Sequence, residues 1–100
     1  MKRLGITQRV ENIASYKERR DCLDQRWSTL AYYLGYIPVP LPNNSNNNIS
    51  EMIQSLNLDS IIFSGGNSIC NLDSEEKDTA PERDLFEISL LKEALKFNIP

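Results

Sequence analysis

Histidine is absent from this 100-residue sequence. Without an imidazole, no Ser-His or Cys-His pair can be assembled within these residues, because either nucleophile would lack its usual base. Cysteine is nearly as scarce. Cys22 and Cys70 stand far apart and match no zinc or redox spacing, so no metal site is expected. No cofactor motif accompanies them. Nothing else points to secretion, and two free thiols in a cytoplasmic protein are expected rather than a disulfide. A run of about 18 apolar residues is also missing, which argues against a membrane-spanning helix. The apolar part of residues 1–9 is too short for a secretory signal. An excess of positive charge is lacking as well: 11 basic against 14 acidic residues leave a net charge of −3. That balance disfavours a surface built to neutralise nucleic-acid phosphates. The expected partner is a small molecule, with no nucleic acid and no membrane, and the oligomeric state stays open.

What is present reads as one ordinary soluble domain at most, 40% hydrophobic and 25% charged. The order of its segments says more. Leu4-Gly5-Ile6-Thr7 fits a buried first strand, and a polar connection of mixed charge follows (Glu11, Asn12, Lys17, Glu18, Arg19, Arg20). Leu23, Trp27, Leu30, Ala31 and Leu34 then recur on one face of a helix that would also carry Cys22 as a small packing residue. Gly35 follows where a helix end needs a left-handed residue. In residues 36–42, Ile37, Val39 and Leu41 alternate with prolines, which predicts an extended segment at a sheet edge. An Asn-rich loop leads to Asn48, which with Glu51 forms a capping box opening a helix of Ile49, Met52, Ile53 and Leu56. Residues 59–64 form a continuous apolar strand, ended by Gly65-Gly66. Residues 67–82 read as a charged loop. After Pro81 comes a helix bearing Leu85, Ile88, Leu91 and Leu95, its apolar face widened by Phe86, Leu90 and Ala94. Alternation of this kind predicts an α/β fold, a mostly parallel sheet with helices on both faces. Ile99-Pro100 resembles the start of another strand, so the chain reads as the N-terminal half of a larger domain, residues 1–100 of it.

Ligands of open α/β sheets bind beyond the carboxyl ends of the strands. Three places qualify: Thr7-Gln8-Arg9, Leu41-Pro42-Asn43 and Ser64-Gly65-Gly66-Asn67. The glycine pair permits a sharp turn with unobstructed N–H groups, suited to an anion or an oxyanion, although a plain tight turn explains it equally. Arg9 is a candidate for a substrate carboxylate or phosphate, or simply a surface arginine. Arg83-Asp84 lies near a helix start, where Asp84 complements the helix dipole. Cys70 has no base available and is not a candidate nucleophile.

Three stretches together carry a resemblance: Gly5-Ile6-Thr7, the run 34–42 ending Val39-Pro40-Leu41-Pro42, and Ile61-Ile62-Phe63-Ser64-Gly65-Gly66. With Arg83-Asp84-Leu85-Phe86-Glu87 ahead of Phe97-Asn98-Ile99-Pro100, the chain resembles class I glutamine amidotransferase-like proteins, in particular their γ-glutamyl hydrolase branch, peptidase family C26. The resemblance covers nearly the whole chain. It implies a flavodoxin-like fold, with the nucleophilic cysteine on a turn after the next strand and its histidine and glutamate further on. This chain would then end before the nucleophile strand and hold no triad member. It would supply the oxyanion-side backbone, Gly66 as donor with Gly65 allowing the turn, and part of the substrate pocket through Arg9, Asn67 and Arg83. The implied reaction is cysteine attack on a γ-glutamyl amide, with a glutamyl thioester hydrolysed to glutamate. A γ-glutamyl-CDP-amidate substrate would give Arg9 or Arg83 a phosphate to face. A glutaminase subunit feeding ammonia to a synthase, and a non-catalytic anion- or nucleotide-binding module, are the alternatives. Free γ-glutamyl hydrolysis without a partner separates the first reading from both.

Overall fold

A computed structural model of the chain describes residues 1–65 and 80–100. Its frame is a three-stranded parallel sheet in the order β4-β1-β5, formed by β1 (Lys2–Ile6), β4 (Tyr36–Pro40) and β5 (Ser60–Ile62). The crossovers contain α1 (Gln25–Tyr33) and α2 (Ile49–Leu56), and α3 (Pro81–Lys96) follows β5. Among parallel strands this order is second, first, third, as in flavodoxin-like sheets.

Side-chain alternation divides the core into two layers. Leu4 and Ile6 of β1 pack with Ala31, Leu23, Trp27, Tyr36 and Ile62 under α1. On the opposite face, Leu41, Ile49, Ile53, Leu58, Phe86 and Leu90 form the larger cluster under α2 and α3, joined by Val39 and Ile61. Consecutive Ile61 and Ile62 thus serve opposite layers, which is why β5 reads as continuously apolar. Gly5 faces the larger cluster, and a Cβ there would sit 2.9 Å from Leu58 Cδ1 and 3.1 Å from Leu41 Cδ1. The fold class expected from the sequence is therefore present, with helices on both faces.

Proline placement follows the hydrogen-bond parity of the edge strand. Leu41 N donates to Ile6 O at 3.0 Å, so alternate residues Ile37, Val39 and Leu41 turn their amides toward β1. Pro38 and Pro40 occupy the other parity, facing away from β1, where no N–H is required. At the other side of the sheet, Ile61 N and Ser60 Oγ both donate to Pro100 O, at 2.9 and 3.0 Å. This lays residues 99–100 along β5 on the side away from β1.

Local signals explain the helix ends. Asp24 caps α1, accepting from Arg26 N at 2.9 Å. The Arg26 guanidinium, with that backbone bond, holds the Asp24 carboxyl at about 2. Gly35 has φ +86°, the left-handed residue expected there. Pro81 is the first residue of α3, with Glu82 and Asp84 in the first turn and Lys96 in the last. The far end of α3 closes through Asn98 (φ +56°), with Ile99 N donating to Ala94 O at 2.9 Å and Ile99 packed on the larger cluster.

Five expectations are corrected. The polar connection is a β-hairpin: β2 (Arg9–Ile13) pairs antiparallel with β3 (Glu18–Cys22). Its strands carry mostly polar residues, and its loop turns through Lys17 at φ +53° without glycine or asparagine, so neither alternation nor turn chemistry announces it. Cys22 consequently ends a strand rather than riding a helix; its thiol is free. Asn48 makes no side-chain cap bond, because Asn46–Asn48 form a 3-10 turn that runs into α2. On α3, Phe86, Leu90 and Ala94 are buried, whereas Leu85, Ile88, Leu91 and Leu95 are each at least half exposed. Leu30 and Leu34 of the α1 face are exposed too. No helix among the described residues is long and apolar enough to cross a membrane.

Candidate active site

In a sheet of this order the strand sequence reverses between β1 and β5, and ligands of such sheets bind beyond the carboxyl ends at that point. The structure joins the ends of these two strands by hydrogen bonds. Thr7, fully buried, donates its N–H to Ile62 O at 3.0 Å and accepts from Ser64 N at its Oγ1, at 2.9 Å. Ser64 Oγ donates back to Thr7 O at 2.6 Å. Three bonds thus lock the residues after β1 to those after β5, directly before the glycine pair.

Gly65 continues from this lock with φ +75°, and no atom lies within 4 Å of where a Cβ would be. Space does not demand glycine here; the left-handed backbone does. Gly66, Asn67 and Cys70 lie outside the described residues.

Arg83 reaches the same place from α3. Only 4% exposed, it bonds Glu87 one helical turn on, Nε to Oε1 at 2.5 Å, and its Nη2 donates to Ser64 Oγ at 3.3 Å. A buried guanidinium is tolerated because a carboxylate neutralises it and oxygens take its hydrogens. Arg83 is therefore brought to Ser64, next to Gly65, with its charge already matched by Glu87. Arg9 opens β2, pairs with Glu11 at 2.5 Å and remains half-exposed.

The end of β4 joins from the other side of β1. Gln8 Nε2 donates to Leu41 O at 2.9 Å, and Asn43 Nδ2 donates to Gln8 O at 3.1 Å. Asn43 also binds Asp21 of the hairpin through its backbone N, at 3.0 Å, and through Nδ2, at 2.9 Å. The sequence pointed to all three loops separately; the structure joins them through Thr7, Gln8, Asn43 and Ser64. Asp21, Arg19 and Glu82 were missed. Arg19 donates to Glu82 in bidentate fashion, at 2.6 and 2.9 Å, tying the hairpin to the first turn of α3. That bond holds the Glu82 carboxyl below the usual glutamate range and raises Arg19 further. With the hairpin unrecognised, no signal could have brought those residues here. Among the described residues no group of three or more His, Cys, Asp or Glu side chains could hold a metal ion.

The sequence model of the Peptidase C26 family matches residues 4–100. The chain belongs to that family. This places it among glutamine amidotransferase-like hydrolases, as the sequence resemblance implied. No curated protein matches the chain closely enough to add a substrate. Of the family's cysteine, histidine and glutamate triad, the histidine has no counterpart here, since the sequence contains none.

Proposed function

We propose that this chain forms the oxyanion side of a hydrolase that cleaves a γ-glutamyl amide through a cysteine thioester. In that reaction a thiolate adds to the γ-carbonyl carbon and the amide nitrogen leaves as a protonated amine. Water then releases glutamate and restores the thiol. The tetrahedral intermediates carry an oxyanion, and the role assigned here to Gly66 is to donate its backbone N–H to that oxygen. Gly65 allows the turn, and the observation that carries this reading is its left-handed backbone directly after the Thr7–Ser64 lock. A donor held in place beforehand needs no reorganisation as charge develops, and this is how such groups lower a barrier.

Arg83 and Asn67 are assigned to the substrate pocket and Arg9 to its periphery. A γ-glutamyl-CDP-amidate of capsule phosphoramidate synthesis is the narrower substrate proposed. It rests on the sequence resemblance, and its phosphates would have to draw Arg83 or Arg9 from Glu87 and Glu11.

The test uses the enzyme that carries this chain, with its nucleophile in place. Gly66→Pro removes the N–H and should lower kcat by ~10²–10³ in glutamate release, with KM little changed. Unchanged kcat would remove the oxyanion role. Glutamine turnover that appears only when a synthase is added would overturn hydrolysis in favour of ammonia delivery.

A further inference from the structure

Arg83 stands where the helix field disfavours it. It lies in the first turn of α3, at the positive end of the dipole, where its neighbours Glu82 and Asp84 are the suited residues. It is also buried, so its charge has been taken out of water. Glu87 offsets part of this by matching the charge, Nε to Oε1. The other arm of the guanidinium serves a different segment. Its Nη2 donates to Ser64 Oγ at 3.3 Å, across 19 residues of sequence, directly before Gly65.

That contact decides the polarity of a hydroxyl. Ser64 Oγ has one hydrogen and two lone pairs, and two carbonyls lie within its reach, Thr7 O at 2.6 Å and Gly65 O at 3.3 Å. A guanidinium only donates, so Ser64 is the acceptor toward α3 and gives its hydrogen to a carbonyl. The shorter bond, to Thr7 O, takes it. Accepting from a cation polarises the hydroxyl and strengthens the bond it donates. Constraints from β1, through Thr7, and from α3, through Arg83, therefore meet on the side chain that precedes the left-handed Gly65. Enclosed and matched by Glu87, Arg83 keeps little field for an anionic substrate.

We propose that Arg83 is a positioning residue of the hydrolytic site. It holds the Ser64 hydroxyl, and through it the backbone entering Gly65, and does not bind substrate. The role rests on the reading of the glycine turn as the oxyanion side. Arginine is required for its fork: one nitrogen is committed to Glu87 while another reaches Ser64.

The test uses the whole enzyme that carries this chain. Arg83→Lys keeps a cation for Glu87 but presents one nitrogen where arginine presents a fork, so one of the two oxygens loses its donor. It should lower kcat for glutamate release about 10–100-fold with KM little changed, less than the ~10²–10³ expected for losing the oxyanion donor itself. Ser64→Ala leaves the Arg83–Glu87 pair in place and serves where an Arg83 variant loses the fold; kcat should fall at least as far. The double variant should be no worse than Ser64→Ala alone, because both changes break one contact. A raised KM with kcat kept would make Arg83 a substrate ligand and overturn the proposal. Unchanged kinetics, or losses that multiply in the double variant, would do the same. Exchange broadening of the Gly65 amide in NMR spectra separates this role from the oxyanion reading, and Arg83→Lys should increase it. If Gly66→Pro leaves kcat intact, the oxyanion reading falls and the Gly65 signal alone decides: a signal unchanged in Arg83→Lys overturns the hold of Arg83 on the turn.

Discussion

Leu90 and Leu91 are neighbours in sequence and opposites in environment, so they offer a direct test of how α3 is seated. Leu90 is fully buried in the cluster of Leu41, Ile49, Ile53, Leu58 and Phe86, while Leu91 is 50% exposed. Truncating Leu90 to alanine removes apolar contacts on all sides. The walls of the space belong to α2 and to the sheet, which cannot close over it. The expected loss is ~2–5 kcal/mol, combining transfer and cavity terms. Leu91→Ala removes a side chain already half in water and leaves no cavity, so under ~1 kcal/mol is expected. Urea unfolding followed by Trp27 fluorescence reads the difference, because Trp27 packs on the smaller cluster. With a slope of about 1–3 kcal/mol per molar urea, the Leu90 variant should shift the midpoint by roughly 1 M or more, and Leu91→Ala by much less. Equal shifts, or a larger one for Leu91, would refute the assignment of the Phe86–Leu90–Ala94 face to the core.

The lock between β1 and β5 should depend on one oxygen. Thr7→Val keeps the shape but leaves Ser64 N without its acceptor; a loss of about 1–3 kcal/mol and faster amide exchange at Ser64 are expected, and Thr7→Ser should restore both. Normal protection of Ser64 in the valine variant would remove the lock. The Arg19–Glu82 pair should confer a small pH dependence. Glu82 has a folded-state pKa below its unfolded value, so its contribution is present above the ordinary glutamate range and fades as pH falls through the depressed value. Arg19→Gln should therefore cost under ~1 kcal/mol at neutral pH, given its partial exposure, and nothing in strong acid. An undiminished difference at low pH would show that the ion pair is not its source.

Much of this protein is decided by interactions that span only a few residues. Glycine at 35 ends a helix because a left-handed residue is needed there, and Pro38 and Pro40 confine their strand to an edge because both lack an N–H. Apolar runs separated by helical periodicity are enough to specify a parallel sheet covered on two faces. Other features depend on partners that local sequence does not name. Two apolar stripes run along α3, and periodicity alone ranks Leu85, Ile88, Leu91 and Leu95 with Phe86, Leu90 and Ala94. The choice between them is made by where α2 and the sheet meet the helix. The hairpin is stabilised by backbone pairing between polar strands, so hydrophobic pattern carries no trace of it. Only after it forms can Asp21 reach Asn43 and Arg19 reach Glu82, across 22 and 63 residues of sequence. Local sequence set the helices, the parallel strands and the left-handed residue at Gly65. Tertiary structure alone brought Thr7 to Ser64, Asp21 to Asn43 and Arg19 to Glu82, because these bonds join segments that chain proximity leaves apart.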